Sequence, residues 1–210
     1  SYKIMSQIFG EKINDLKFFR YDFFNFNGNK FLISRSGFSK QGGFEIHIDN
    51  VKAGLELYDH FFKIGNDYNL KPGTPNHPER IESGLLSYGN DMDINDNPFE
   101  CGFDGYVDLE SDIVFLGKEK LKKIKKKGIK RKLMGVKIDF KTVNVSEEVP
   151  IFDLSNKEIG KLRSATYSPK FKKVIGIAMM LIDQCKISQK FKIKLNGDYA
   201  SGEICNLPIK

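Results

Sequence analysis

The sequence has no tryptophan and, in 210 residues, only three cysteines and seven prolines. Its longest apolar stretch runs from Val174 to Ile182, well short of the roughly 20 residues that a membrane-spanning helix requires. Cys101, Cys185 and Cys205 lie far apart, form no CxxC, and have no histidine at ligand spacing. Their odd number and isolation argue against a disulfide framework or a structural zinc site, and for reduced thiols in the cytoplasm. GxGxxG and P-loop patterns are missing, as are local Ser-His-Asp and Cys-His arrangements, so neither a phosphate cradle nor a nucleophile announces itself. The chain opens on Ser1 with no signal or transit pattern, and its true N-terminus is expected upstream. What is present, 40% hydrophobic and 29% charged residues, is the composition of a folded protein and excludes disorder as the main state.

The net charge of +7 is not spread evenly. Between Lys118 and Lys132 stand nine lysines and Arg131 against the single acid Glu119, a local +9 that leaves −2 for everything else. The run from Gly117 to Gly128 reads as a short helix with Leu121 and Ile124 inward and a solvated lysine face, stopped by Gly128. Lysine greatly outnumbers arginine, whose guanidinium fork usually carries specific phosphate and base recognition. Neither a nucleic-acid nor a membrane partner is therefore expected.

Periodicity predicts an opening helix over Tyr2 to Phe9, then strands Tyr21–Phe26 and Phe31–Arg35 joined by Asn27-Gly28-Asn29, a hairpin signal. A third strand is expected at Phe44–Ile48, and helices at Val51–Tyr68 and about Glu79–Tyr88, the second just after Pro78. From Lys132 onward the pattern becomes six short strands with turn signals between them, which fits a small antiparallel barrel or sandwich. The expected organisation is an α+β part over 1–115, a lysine-rich junction helix over 116–131 and a β-barrel over 132–210.

Few side chains point to chemistry. Asp91, Asp93 and Asn95 alternate like calcium ligands, but Asp96 stands where the loop needs Gly and Gly102 where it needs Glu, so they read as turn formers. His60 reads as a helix-surface residue and His77 as a cap or ligand contact; no metal site is expected. Alternation puts Glu45 and His47 on one face of the third strand, about 7 Å apart, with Phe44, Ile46 and Ile48 facing a core. Exposed strand polarity explains such a pair as readily as a ligand site does.

Several ordered segments together resemble the folate-dependent aminomethyltransferase family, which includes the glycine cleavage T proteins. They are Ser34 to Ile46, Arg80 to Asp91, Pro98 to Gly102 and Phe115 to Glu119, followed by Ile159-Gly160, Ser164, Ser168-Pro169 and Ile175 to Ala178. Within the family the likeness is nearer to the branch in marine bacteria that demethylates dimethylsulfoniopropionate. The loop Ser36 to Gly43, with Lys40-Gln41, and the run Pro75-Asn76 followed by Glu79 to Glu82 carry that distinction. Phe38 and His47 depart from the Trp and Tyr of that branch.

The resemblance implies a ferredoxin-like α/β part of the folate-binding fold followed by the family's antiparallel barrel. It also implies transfer of a methyl group from a small-molecule sulfonium to tetrahydrofolate. Glu45 would hold the pterin edge, Phe19 would wall its pocket, and Asn76 and Arg80 would contact the folate tail or the substrate, while His47 and Phe38 would line the substrate end. Family members are longer by about a further domain on the N-terminal side, so no catalytic residue is expected in this portion. An aminomethyltransferase, or a non-catalytic fragment binding folate or a polyanion, is the alternative.

Overall fold

Asn27 and Gly28 both adopt left-handed backbone, φ 47° and 75°, which is the two-residue turn whose twist matches paired strands. It joins β1 (Tyr21–Phe26) to β2 (Asn29–Ser34) in the register Phe26↔Asn29 through Tyr21↔Ser34. β3 (Glu45–His47) adds antiparallel on the far side of β2, completing a three-stranded sheet. The structure, a computed structural model, describes residues 1–210 apart from 38–41, 75, 144 and 146.

Contacts divide the chain into two units, Ser1–Asn76 and His77–Lys210. In the first, one face of the sheet is buried and the other is not. Phe24, Phe26, Phe31 and Ile33 point into a core completed by Met5 of α1 (Tyr2–Phe9) and by Ala53 and Leu57 of α2 (Val51–Gly65). Phe44 and Ile46 pack against that core as expected, whereas Ile48 is half exposed. Asn50 caps α2 through its side chain, which accepts from the Ala53 N–H at 3.2 Å. The helix ends at Gly65, short of the expected Tyr68. Leu70 folds back there, leaving no room for a side chain at 65, and the residues between form a 3₁₀ turn, Asn66–Tyr68. His60 is not a simple surface residue, since its ring lies 5.0 Å from that of Phe26.

The second unit begins with α3 (His77–Glu82), which includes Pro78 and is shorter than the expected Glu79–Tyr88. Gly84, at φ 65°, turns the chain, so Leu85 and Leu86 leave the helix. α4 (Lys118–Lys127) lies between Gly117 and Gly128, with no residue fully buried. Then come β4 (Arg131–Ile138), β5 (Val149–Phe152), β6 (Glu158–Ser168), β7 (Lys173–Leu181), β8 (Lys190–Leu195) and β9 (Asp198–Cys205). They close into an antiparallel barrel in the order β4-β7-β6-β5-β8-β9. The α+β layer and antiparallel barrel are the architecture expected of the sequence.

The barrel interior is filled by Val136, Ile138, Ile151, Leu162, Phe191 and Ile193. Alternate residues of β7 face outward, where Ile175, Ile177 and Met179 pack with Ile81, Cys101 and Ile209. β7 is thus buried on both faces, which is why it carries the longest apolar stretch of the sequence. Gly202 lets the Phe191 ring approach β9: a Cβ there would lie 2.3 Å from its Cζ and 2.8 Å from the Lys137 carbonyl oxygen. No helix among the described residues is long and apolar enough to cross a membrane.

Candidate functional site

The unburied face of the β1–β2–β3 sheet gathers aromatic, hydroxyl, carboxyl and imidazole groups in two rows. Register aligns Tyr21, Ser34 and Glu45 in one row and Phe23, Leu32 and His47 in the next. Tyr21 and Phe23 are 65% and 46% exposed, large values for aromatic side chains on a sheet. Their rings meet edge to face at 6.5 Å, and the Lys30 ammonium lies 4.4 Å above Phe23.

Glu45 is held without being buried. The Ser36 hydroxyl donates to Glu45 Oε2, and Ser34 Oγ lies 2.9 Å from Ser36 Oγ. Because the single Ser36 proton goes to the carboxylate, Ser34 donates to Ser36, giving a two-hydroxyl relay that aims one carboxylate oxygen, and no donor among the described residues takes the other. His47 shares the face, as strand alternation requires.

Phe19 stands at the entry to β1 with φ 58°, an uncommon conformation for a bulky residue. Its N–H donates to the Arg35 carbonyl at 2.9 Å, which ties it to the residue preceding Ser36. The ring is 75% exposed and lies 4.3 Å from that of Phe18, tilted by 54°, so it is no part of the core. The structure therefore brings Glu45, His47 and Phe19 to one sheet and its edge. Phe38 lies outside the described residues, and Asn76 is exposed at the end of the first unit.

Arg80 belongs to the second unit and is 2% exposed. Its Nη1 donates to Asp91 and to the Leu85 carbonyl, and its Nε donates to His77 Nδ1 at 3.3 Å. Partial desolvation and the Arg80 charge hold His77, which is still open to solvent, below its ordinary pKa. Asp91 is fully buried and also accepts from the Ser87 N–H at 2.7 Å and from the Ser164 hydroxyl on β6. This arrangement makes Arg80 a clamp on the 85–91 turn rather than an exposed ligand contact.

A second buried ionic cluster lies beside it. Asp96 pairs with Arg163, and with Arg131 at 2.8 Å; Arg131 reaches Glu100 at 3.1 Å, and Arg163 reaches Glu148 at 2.9 Å. Burial pushes the Asp96 carboxyl up, but the hydrogen bonds from Arg163 and the Asp93 N–H, with both guanidinium charges, pull it below its usual value. The turn-forming reading of Asp91 to Asn97 is borne out by side-chain-capped turns such as Asp93 N–H to Asp96 Oδ2 at 2.9 Å, and the buried pairing is additional. Among the described residues no group of three or more His, Cys, Asp or Glu could hold a metal ion.

Sequence reading missed Tyr21, Phe23, Ser34 and Ser36 as site residues. The signal was available: a two-residue Asn-Gly turn fixes Tyr21 opposite Ser34, and alternation then sends Tyr21 and Phe23 to the face of Glu45.

The face suits a flat heterocycle with an N–H edge. A carboxylate can accept two parallel N–H bonds from an amide and amino edge, and neighbouring aromatic rings offer it a wall.

The profile of the GCVT N-terminal domain matches residues 1–111, and that of the glycine cleavage T-protein C-terminal barrel domain matches residues 131–209. Dimethylsulfoniopropionate demethylase DmdA of Ruegeria pomeroyi is 37% identical over 177 residues, 84% of this chain and 48% of that protein. The aminomethyltransferase of Halothermothrix orenii is 30% identical over 99% of this chain and 58% of its own length, and that of Thermoanaerobacter pseudethanolicus 31% over 93% and 53%. The chain thus spans about half the length of the curated relatives it matches. In structure it superimposes on glycine cleavage system aminomethyltransferase T from Bartonella henselae with a TM-score of 0.83 at 21% identity, over 99% of this chain and 56% of that one, which shows a shared fold.

Proposed function

The chain belongs to the glycine cleavage T-protein family of folate-dependent aminomethyltransferases, and from that premise we propose that it is part of a tetrahydrofolate-dependent methyltransferase that demethylates dimethylsulfoniopropionate. The observation that carries the reading is the open sheet face, where Glu45 is aimed by Ser36 beside Tyr21 and Phe23. Higher identity to the Ruegeria demethylase than to the two aminomethyltransferases above supports the choice of donor.

In this reading Glu45 accepts the N–H edge of the pterin and fixes its rotation, Phe19 walls the ring, and Asn76 contacts the tail. Arg80 acts as a positioning residue, holding the 85–91 turn through Asp91. His47 and Phe38 line the substrate end, where an aromatic face favours a sulfonium cation. Bound there, tetrahydrofolate supplies a nucleophilic nitrogen, N5, to accept the methyl group. The S–CH3 bond would break as the N5–CH3 bond forms, the sulfur leaving as a neutral thioether that needs no proton while the N5 proton is released to solvent, so alignment and exclusion of water are the protein's main contribution. The remaining part of the longer protein completes the site.

A second reading, an aminomethyltransferase, is favoured by the names of most of the relatives above. The complete protein separates the two. It should form methylmercaptopropionate from dimethylsulfoniopropionate only when tetrahydrofolate is added, and turnover independent of folate, or none, refutes the demethylase reading.

A further inference from the structure

Between Tyr88 and Leu116 the second unit leaves much apolar surface open. It buries Phe99, Cys101 and Leu109 together with the carboxylates of Asp91 and Glu100, while Tyr88, Ile94, Tyr106, Ile113, Val114 and Leu116 are 69, 87, 87, 70, 90 and 102% exposed. Single exposed apolar residues are ordinary, but Ile113, Val114 and Leu116 crowd three of them into four positions, as a surface that something covers does. The stretch is held in place. From Ser83 to Gly117 the only helix or strand among the described residues is the 3₁₀ turn Asp104–Tyr106, yet Asp91, Asp96 and Glu100 pin it through Arg80, Arg163 and Arg131. At its end Lys118 Nζ donates to the carbonyls of Ser111 and Ile113, the latter at 3.0 Å, and anchors the apolar tip to α4. Val114, Phe115, Leu116 and Lys118 border an open cleft of about 610 Å³.

We propose that Ile113–Leu116 is the seat of a polypeptide segment for which this chain has no counterpart, the remaining half of a longer protein. The inference rests on family membership and not on the folate reading. Relatives match 84–99% of this chain with only 48–58% of their own length, so each carries about as much chain again with nothing here to pair with it. A second copy of the same chain suits the tip poorly. A two-fold contact would bring two lysine helices together, with Lys118, Lys120 and Lys122 beside the cleft in each.

Carbene footprinting of the 210-residue chain, and of the longer protein translated from the same reading frame, tests the assignment. Labelling at Ile113, Val114 and Leu116 should fall several-fold in the longer protein, with Lys125 to Lys127 labelled equally in both. Val114→Asp with Leu116→Asp should leave the melting temperature of the 210-residue chain unchanged and lower that of the longer protein. Equal labelling of the tip in both proteins overturns the proposal, as does an equal loss of melting temperature in both. Two results with the isolated chain also overturn it. One is a dimer in sedimentation that the double variant abolishes, and the other is sedimentation with phosphatidylserine vesicles that the variant abolishes. All four readouts report assembly, so they are independent of whether folate is turned over.

Discussion

Arg163 on β6 and Asp96 stand 67 positions apart in the sequence and form an ion pair whose side chains are 8% and 1% exposed. Arg163 Nη1 also donates to the Asp91 carbonyl at 2.9 Å, so one guanidinium fastens two turns of the 88–100 stretch to the barrel wall. Asp96→Asn leaves Arg163 buried with half its partner charge gone and loosens Arg131 as well. The loss should be about 3–5 kcal/mol of unfolding free energy, read from the urea midpoint at constant slope. A change under about 0.5 kcal/mol would mean that solvent replaces the pair at no cost.

Acid should act on the same region in two stages. His77 is held below 6.5, so its neutral form is the one the fold favours; that stability is whole above 6.5 and is lost as pH falls through the lowered value. Asp96 is held below 3.8, and its contribution is whole above 3.8 and is lost as pH falls further. Urea midpoints taken from about pH 7 down to about pH 3 should decline across both windows. His77→Gln should flatten the upper part of that decline and Asp96→Asn the lower part. A midpoint that rises toward acid contradicts both assignments.

Glu45→Gln separates binding from folding, because the side chain is exposed and among the described residues its hydrogen-bond partner is Ser36. Stability should move by less than about 0.5 kcal/mol, while tetrahydrofolate affinity of the complete protein should fall about tenfold or more, the worth of a charge-assisted hydrogen bond. Calorimetric titration measures it, and unchanged affinity removes Glu45 from the pterin edge.

Thiol chemistry offers an independent check on the second unit. Burial pushes Cys101, with Asp96 beside it, and Cys205 each up to about 11. Only about one molecule in a thousand then carries either thiolate at pH 8. Iodoacetamide should label both slowly in the native protein and quickly in urea, as followed by peptide mass mapping.

The legible parts of the fold were those whose signal is local. Asn27-Gly28 announced the hairpin, alternation placed Glu45 with His47, and six short runs with turns between them announced the barrel. The lysine helix was delimited by its flanking glycines, Gly117 and Gly128. Illegible parts depended on distant groups or on a single turn. Leu85 and Leu86 fit a helical stripe, but Gly84 ends the helix before them. Arg80, expected at the folate tail or the substrate, pairs instead with Asp91, and nothing near Asp96 in the sequence hints at Arg163. Tyr21 and Phe23 were read as ordinary strand aromatics, because hydrophobicity alone does not say which face of a sheet is covered.

The turn at Asn27 and Gly28 has a consequence for how the first unit can vary. Side-chain direction on a strand repeats every second residue, so the turn's length decides which residues of β1 share a face with Glu45. One residue added there would carry Phe24 and Phe26 toward the open face and send Tyr21 and Phe23 inward, exchanging core for site in a single step. Two residues added would preserve the faces but slide Tyr21 away from Ser34. Length changes in this hairpin should therefore come in pairs, and each pair should move the aromatic wall along the sheet relative to the carboxylate.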